Sequence, residues 1–152
     1  MSLAIFPTEL AKINEHARRD YPHECCGMML GKEVNGWKLV TEARPINNAR
    51  DDSPRNRFLI TPDDFRANER YAREQKLDIL GFYHSHPDHP ARPSEFDRQN
   101  AWPWFSYVIV SVAQGVPGEV TSWELAWDRS QFHRETLETA FRTLEELEQH
   151  AR

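Results

Sequence analysis

Two spacings of apolar residues alternate along the chain and predict its helices and strands. The first helix is predicted at 8–20, where apolar residues recur every three or four positions: Leu10, Ile13 and Ala17. Thr8 can cap this helix, and Tyr21 ends it because a residue before proline is pushed out of the α region. A second helix is predicted from 62 to about 75, since Thr61 offers a capping hydroxyl and is followed by proline and two acids.

Strands are predicted where short apolar runs lie between turn signals. One pair is joined through Asn35-Gly36, a dipeptide typical of tight hairpins. The polar stretch 47–56 is expected to be a loop, and a short helix is expected to begin at Ser94 and end near Trp102. The predicted strands are 26–33, 37–43, 57–60, 77–83, 104–112 and 120–127.

The remainder of the chain, from Ser130, is rich in glutamate and predicts a helix docked by an apolar stripe. The stripe consists of Phe132, Leu137, Phe141, Leu144 and Leu147. We therefore expect one domain at 1–128, with a C-terminal helix at 129–152 packed on it. The succession of elements predicts an α/β fold, a mixed β-sheet flanked by helices. A contact of the tail helix with a second copy of the chain, as a homodimer, or with another partner is a lesser alternative.

Composition narrows the classes of function. The 152 residues include 19 basic and 24 acidic side chains, with a formal net charge of -5, which gives no electrostatic footprint for nucleic acid. The sequence has no apolar run of about 18 residues, so no membrane span is expected. The two cysteines, Cys25 and Cys26, are adjacent and cannot form the disulfide framework of a secreted protein. A cytoplasmic protein is expected. Cys26 is expected to pack in the core, and the role of Cys25 stays open.

Metal-binding residue types cluster in the second half of the chain. His84 and His86 are two positions apart on an extended segment, so their side chains point to the same face. Asp97 follows Ser94 by one helical turn, and both project from the start of the same short helix. Two imidazoles and one carboxylate are a ligand set of catalytic zinc, which leaves the fourth position for water. The pattern predicts one Zn²⁺ per chain, bound by His84, His86 and Asp97.

Such a site also needs a general base. Glu24 stands just before an apolar strand, where partial burial over a cleft would raise a carboxyl pKa. From spacing alone, any of the 24 acidic residues could take this role. Ser94 has two interpretations, as a helix cap and as a group that reaches a substrate oxygen. Prolines at 87, 90 and 93 predict a rigid loop between the histidines and Ser94.

The combined pattern resembles the JAMM (MPN+) metalloprotease family. It consists of His-x-His, then Ser-x-x-Asp, preceded by Glu24 in a Pro-x-Glu-x-Cys-Gly context, and the resemblance extends over much of the chain. It implies that His84, His86 and Asp97 bind zinc, that Ser94 supports the tetrahedral intermediate and that Glu24 is the acid/base. It also implies a single-domain MPN fold with cytidine-deaminase-like α/β/α layers. The chain has no large insertion of the kind that eukaryotic members use to grip ubiquitin, and is similar to compact prokaryotic members.

The resemblance also implies the reaction. We expect a zinc metallopeptidase that hydrolyses a peptide or isopeptide bond after the C-terminal Gly-Gly of a ubiquitin-like or sulfur-carrier protein. The group removed would be a terminal cysteine, a short extension or a modified lysine. The flexible tail of that protein is expected to bind beside the site as an added strand. Loops 44–56 and 87–93 are expected to govern substrate choice.

Two alternatives belong to other classes. Residues 84–89 also match the His-x-His-x-Asp-His pattern of the dinuclear metallo-β-lactamase fold. That fold is generally larger and needs further ligands, whereas only His133 and His150 follow. The other alternative is a non-catalytic zinc-binding scaffold of the MPN type. It is disfavoured because all five family positions are kept, and because structural zinc sites usually have four Cys or His ligands.

Overall fold

The computed structural model describes residues 1–47 and 60–139. These residues form eight strands and three helices. In chain order they are β1 (Ser2–Ile5), α1 (Pro7–Asp20), β2 (Cys26–Val34), β3 (Trp37–Ile46), α2 (Pro62–Glu74), β4 (Asp78–Pro87), α3 (Glu95–Asn100), β5 (Ser106–Ala113), β6 (Val116–Leu125), β7 (Phe132–Glu135) and β8 (Leu137–Glu138).

All eight strands belong to one mixed sheet, in the order β7-β6-β5-β4-β2-β3-β1-β8. Three neighbouring pairs are parallel, namely β4 with β5, β1 with β3 and β1 with β8, and the others are antiparallel. The predicted α/β fold with a mixed sheet and flanking helices is confirmed.

The sheet curls until its two edges meet. β7 pairs with β6, and after a single residue β8 pairs with β1 at the other end of the strand order. Leu3 N–H also donates to the Thr136 carbonyl at 2.9 Å. Seven extended residues span at most about 24 Å, so the edges formed by β6 and β1 must lie close together. Helix α1 contacts β3, β4, β5 and β6 and therefore lies on the concave face.

Side chains of the central strands alternate between two cores. Tyr83 packs with α1 in one core, whereas Phe82 packs in the other, where its ring centroid is 6.4 Å from that of Phe65 in α2. Since alternate residues share a face, His84 and His86 lie on the same side of the sheet as Phe82. The candidate metal ligands are thus on the side of α2, away from α1.

A buried ionic cluster is formed by side chains of β3, β5, β6 and β7. Lys38 is completely buried, and its ammonium donates to Ser106 Oγ at 2.9 Å and to Glu124 Oε2 at 3.2 Å. Nearby, Glu135 accepts a hydrogen bond from Ser122 Oγ at 2.6 Å. Burial and the neighbouring charge of Glu124 raise the pKa of Glu135 to about 7.

Most predicted elements are confirmed with small changes in their ends. The two helices and the hairpin through Asn35-Gly36 are present, and Thr61 caps α2 by accepting the Asp64 N–H at 3.1 Å. The predicted Thr8 cap is wrong: α1 begins at Pro7, and Phe6 occupies the capping position without a side-chain hydrogen bond. No helix among the described residues is long and apolar enough to cross a membrane.

Two further predictions are corrected near the site and in the tail. β4 continues to Pro87 rather than ending at 83, so both histidines lie within a strand that is paired on each side. The tail helix predicted from Ser130 is wrong for 132–138, because this segment supplies hydrogen-bond partners to both sheet edges. The predicted strand at 57–60 falls outside the described residues except for Ile60, which is not in a strand. The predicted helix beyond 139 is also outside them.

Candidate metal centre

Strand pairing brings Glu24 next to the two histidines. Cys26 is opposite His84 in the antiparallel pair of β2 and β4, and Cys25 is hydrogen-bonded to Ser85. Continued by two residues beyond Cys26, this register places Glu24 opposite His86, and directly opposed residues point to the same face. Ligand atoms of Glu24, His84 and His86 lie within 4.8 Å of one another, and all three residues are buried.

Helix α3 brings Asp97 to the same place through its capping interactions. Asp97 N–H donates to Ser94 Oγ at 3.0 Å, and Ser94 N–H donates to Asp97 Oδ2 at 2.8 Å. This reciprocal capping box fixes both the start of the helix and the direction of the Asp97 side chain. The predicted helix start at Ser94 is confirmed.

Three donor atoms converge at the centre of the site. His84 Nε2 is 3.1 Å from His86 Nε2 and 3.3 Å from Asp97 Oδ2, and the distance from His86 Nε2 to Asp97 Oδ2 is 3.2 Å. Ligands bound at about 2.0–2.1 Å around a tetrahedral zinc ion lie about 3.3–3.4 Å apart. The donor set and its spacing therefore fit a divalent metal ion of the size of zinc.

Protonation of the donors is compatible with metal binding. Burial lowers the pKa of His84, which favours the neutral imidazole that coordinates metals. Burial alone would raise the pKa of Asp97, but the neighbouring imidazoles and the Ser94 N–H hold that pKa well below its usual range. His86 Nδ1 lies 2.8 Å from the Pro90 carbonyl, and a hydrogen bond donated there leaves the Nε2 lone pair facing the donor triangle.

The Ser94 side chain remains exposed at the edge of the site. Its oxygen accepts the hydrogen bond from Asp97 N–H, but a hydroxyl can donate one hydrogen bond while it accepts another. The capping and catalytic interpretations of Ser94 are thus compatible in this geometry.

An apolar cavity of about 470 Å³ adjoins the donor triangle. His84 and Asp97 form part of its wall, and the remainder is mostly aromatic. Its aromatic lining consists of Phe65, Phe82, Phe96, Trp102, Phe105 and Tyr107. These rings were not identified from the sequence, because they come from separate elements and no local spacing relates them.

Other candidates from the sequence lie outside the cluster. Asp88 Oδ2 accepts a hydrogen bond from Tyr21 OH at 2.7 Å, and Asp88 Oδ1 accepts one from Gln114 N–H at 2.8 Å. Both oxygens of this carboxylate are therefore bonded to other parts of the protein. Among the described residues, the group that could hold a metal ion consists of Glu24, His84 and His86, and Asp97 adjoins it through its distances to both imidazoles. Neither Asp88 nor His89 takes part in these contacts, contrary to the metallo-β-lactamase alternative. Burial raises the pKa of the Cys25 thiol to about 12, which excludes an activated thiolate there.

Comparison with known proteins identifies the family. The family model described as prokaryotic homologs of the JAB domain matches residues 8–126. The chain belongs to this family. The matched segment contains every member of the cluster described above. The resemblance to JAMM/MPN proteins is thereby confirmed.

Individual relatives agree with this assignment. A desampylase from Haloferax volcanii is 34% identical over 103 residues, which cover 67% of this chain and 72% of the relative. A protein from Salinibacter ruber, whose structure was solved in solution, is 44% identical with a TM-score of 0.71, and the match covers 91% of each chain. The crystal structure of AF2198, a JAB1/MPN domain protein from Archaeoglobus fulgidus, has a TM-score of 0.55 at 16% identity, covering 90% of this chain and 97% of the other. This last similarity confirms the JAB1/MPN fold.

Proposed function

We propose that this JAB-family protein is a zinc-dependent peptidase that cleaves the bond after the C-terminal Gly-Gly of a ubiquitin-like or sulfur-carrier protein. The convergence of three donor atoms within 3.3 Å, with a buried glutamate beside them, is the observation that supports it most directly. The similarity to a desampylase favours a ubiquitin-like modifier as the substrate. The bond cleaved is a peptide or an isopeptide bond.

His84, His86 and Asp97 would hold the metal ion. When bound, zinc polarises a carbonyl and lowers the pKa of water to about 7. The Asp97 carboxylate supplies the negative charge among the ligands, and its backbone partner Ser94 N–H keeps it oriented. The proposed ligand set leaves Glu24 for proton transfer.

Glu24 would act as the acid/base. Its carboxylate lies within 4.8 Å of the imidazole nitrogens, close enough to accept a proton from a water molecule attacking the scissile carbonyl. The same carboxyl then donates that proton to the leaving amine. Ser94 donates its hydroxyl hydrogen to the oxygen of the tetrahedral intermediate, where negative charge develops.

The substrate would reach these residues from the open side of the cavity. Because His84 and Asp97 form part of its wall, an apolar side chain of the substrate tail near the cleaved bond would lie among the aromatic rings. A Gly-Gly end suits this site because residues without side chains allow a close approach to the ligands.

The proposal is tested with purified protein, Zn²⁺ and a sulfur-carrier protein that carries one cysteine after its Gly-Gly end. Intact-mass spectrometry should detect loss of that residue. Glu24→Gln should retain zinc and lose about 10²- to 10⁴-fold in turnover, the usual contribution of a general base. Glu33→Gln is the matched control, since that glutamate is exposed and lies near the other end of β2 from Glu24.

A second substrate, the same carrier joined to a lysine side chain, distinguishes isopeptide from peptide cleavage. Zinc binding without hydrolysis of either substrate would contradict the proposal and favour the scaffold alternative. Equal activity of Glu24→Gln and the parent protein would contradict the role of Glu24.

A further inference from the structure

We propose that the Ser111 and Thr121 hydroxyls are positioning groups for the metal ligand His86, acting through the backbone of the 87–93 loop. The inference rests on the proposed metal site and adds two residues whose hydroxyl groups do not bond to the side chain of a ligand. Neither residue was singled out for this role by its sequence context.

Three successive carbonyls of the loop accept hydrogen bonds from the sheet. Ser111 Oγ donates to the His89 carbonyl at 2.6 Å, and Thr121 Oγ1 donates to the Ala91 carbonyl at 2.6 Å. The carbonyl between them, that of Pro90, lies 2.8 Å from His86 Nδ1. The acceptor that orients His86 is therefore flanked on both sides by anchored peptide groups.

Sheet register explains why these hydroxyls reach the loop. Ser111 in β5 pairs with His86, and Thr121 in β6 pairs with Ile109, which in turn pairs with His84. Both hydroxyls therefore lie on the same face of the sheet as the imidazoles. After β4 ends, the loop crosses this face over β5 and β6.

The Thr121 hydroxyl has a defined direction. Trp123 Nε1–H donates to Thr121 Oγ1 at 2.8 Å, so the threonine oxygen accepts from the indole while its own hydrogen points to Ala91. Thr121 is buried, with 1% of its surface exposed, and water cannot easily replace its hydrogen bond.

The anchoring matters because the orientation of a coordinating histidine depends on the acceptor of its other nitrogen. The peptide group that carries the Pro90 carbonyl lies between two peptide groups that are hydrogen-bonded to the sheet, which limits how far its oxygen can move away from His86. Asp88 secures the start of the loop, since its N–H donates to the Val112 carbonyl at 2.7 Å. The Pro90 carbonyl also accepts the Arg92 N–H at 2.8 Å, a contact within the loop that moves with it and does not tie the loop to the sheet. Without the Ser111 and Thr121 hydroxyls the loop can shift, so the acceptor of His86 is held less firmly and the other tautomer becomes populated.

The test uses Thr121→Val, which keeps the shape and removes the hydroxyl, and Ser111→Ala, singly and together. Zinc affinity is measured by competition with a chromophoric chelator. Each single change should weaken binding by a few-fold and the double change by about 10-fold, the lower end of the range for direct partners of a coordinating histidine, because these hydroxyls act one step further out. Thr121→Ser should bind zinc like the parent protein, because it restores the donor.

A second measurement needs neither metal nor activity. In the metal-free protein at about pH 8.5, where an ordinary imidazole is neutral, ¹⁵N NMR distinguishes a proton on Nδ1 from one on Nε2. His86 should carry its proton on Nδ1 in the parent protein and populate both tautomers in the double variant. Ser122→Ala, which removes a hydroxyl on the same strand that donates to Glu135 instead, should change neither measurement.

Parent-like zinc affinity and tautomer in the double variant would overturn the proposal, even if its thermal stability fell. If the parent protein itself does not bind zinc, the proposed function fails, whereas the tautomer measurement still decides whether the two hydroxyls position His86.

Discussion

Replacing Asp97 by alanine separates two roles of one carboxylate. The Asp97 side chain accepts the Ser94 N–H at 2.8 Å and completes the capping box of α3. Its removal should cost about 1 kcal/mol of unfolding free energy, the usual value of a helix cap. For a chain of 152 residues this corresponds to a decrease in Tm of about 2–4 °C.

The metal-dependent effect should be larger. Free Zn²⁺ at 100 times the parent Kd stabilises the folded state by about 2.7 kcal/mol, or about 5–11 °C in Tm. Loss of one of three ligands should weaken binding about 100-fold or more, since outer partners alone contribute 10- to 100-fold. At the same zinc concentration Asp97→Ala would then gain only about 0.4 kcal/mol, or about 1–2 °C.

Differential scanning calorimetry with and without zinc measures both effects. Asp63→Ala is the matched control, because Asp63 also lies in the first turn of a helix but is exposed in α2. Its Tm should rise with zinc as much as that of the parent. If zinc raised the Tm of Asp97→Ala equally, Asp97 would not be a ligand. A simultaneous loss of the zinc effect in Glu24→Gln would then assign the carboxylate ligand to Glu24, whose oxygen also lies near both imidazoles.

Three other predictions concern the oxyanion, the ionic cluster and the sheet. Ser94→Ala should lower turnover about 10²- to 10³-fold while a chelator assay shows zinc still bound; an unchanged rate would remove Ser94 from the mechanism. The pKa of Glu135, raised to about 7, means that the folded state binds its proton more tightly than the unfolded state, so stability falls as pH rises from about 4 to 7. In Glu135→Gln the decrease in unfolding free energy over this pH range, measured by urea denaturation, should be smaller by at most about 3 kcal/mol. A pH profile identical to that of the parent would contradict the raised pKa of Glu135. Gly81→Ala should destabilise the protein by about 3 kcal/mol, because the new Cβ would lie 1.9 Å from the Ser106 carbonyl oxygen. Gly118→Ala is the control and should be nearly neutral, since its nearest contact would be at 3.8 Å. Equal denaturation midpoints of the two variants would contradict this prediction.

The candidate metal ligands could be predicted because they are close to one another in sequence. His84 and His86 share a face because side chains alternate along a strand with a period of two residues. Ser94 and Asp97 lie close together because they are one helical turn apart. The structure brings these pairs together as the sequence predicts. The position of Glu24 required the family resemblance, since the pairing of β2 with β4 joins residues far apart in sequence.

Features that depend on distant contacts could not be predicted. The residues of 132–138 favour a helix by composition, but their backbone groups form hydrogen bonds with β6 and β1, at the two ends of the sheet. The short strand β1 was also missed, because its partners β3 and β8 are distant from it in sequence. The cavity and the hydroxyl donors to the 87–93 loop arise from several elements, and only their folded arrangement relates them.

Residues 132–138 also determine when, during synthesis, β1 and β6 are covered and can no longer pair with strands of other chains. Strands β1 to β6 can pair as soon as they leave the ribosome, but residues 132–138 follow them all. Until then the backbone groups of β1 and β6 that this segment will cover are available to strands of other molecules. Because Leu3 pairs with Leu137, the last contact is also among the most distant in sequence and therefore slow to form. Aggregation of this protein should be governed by the time that its nascent chain spends with an open sheet.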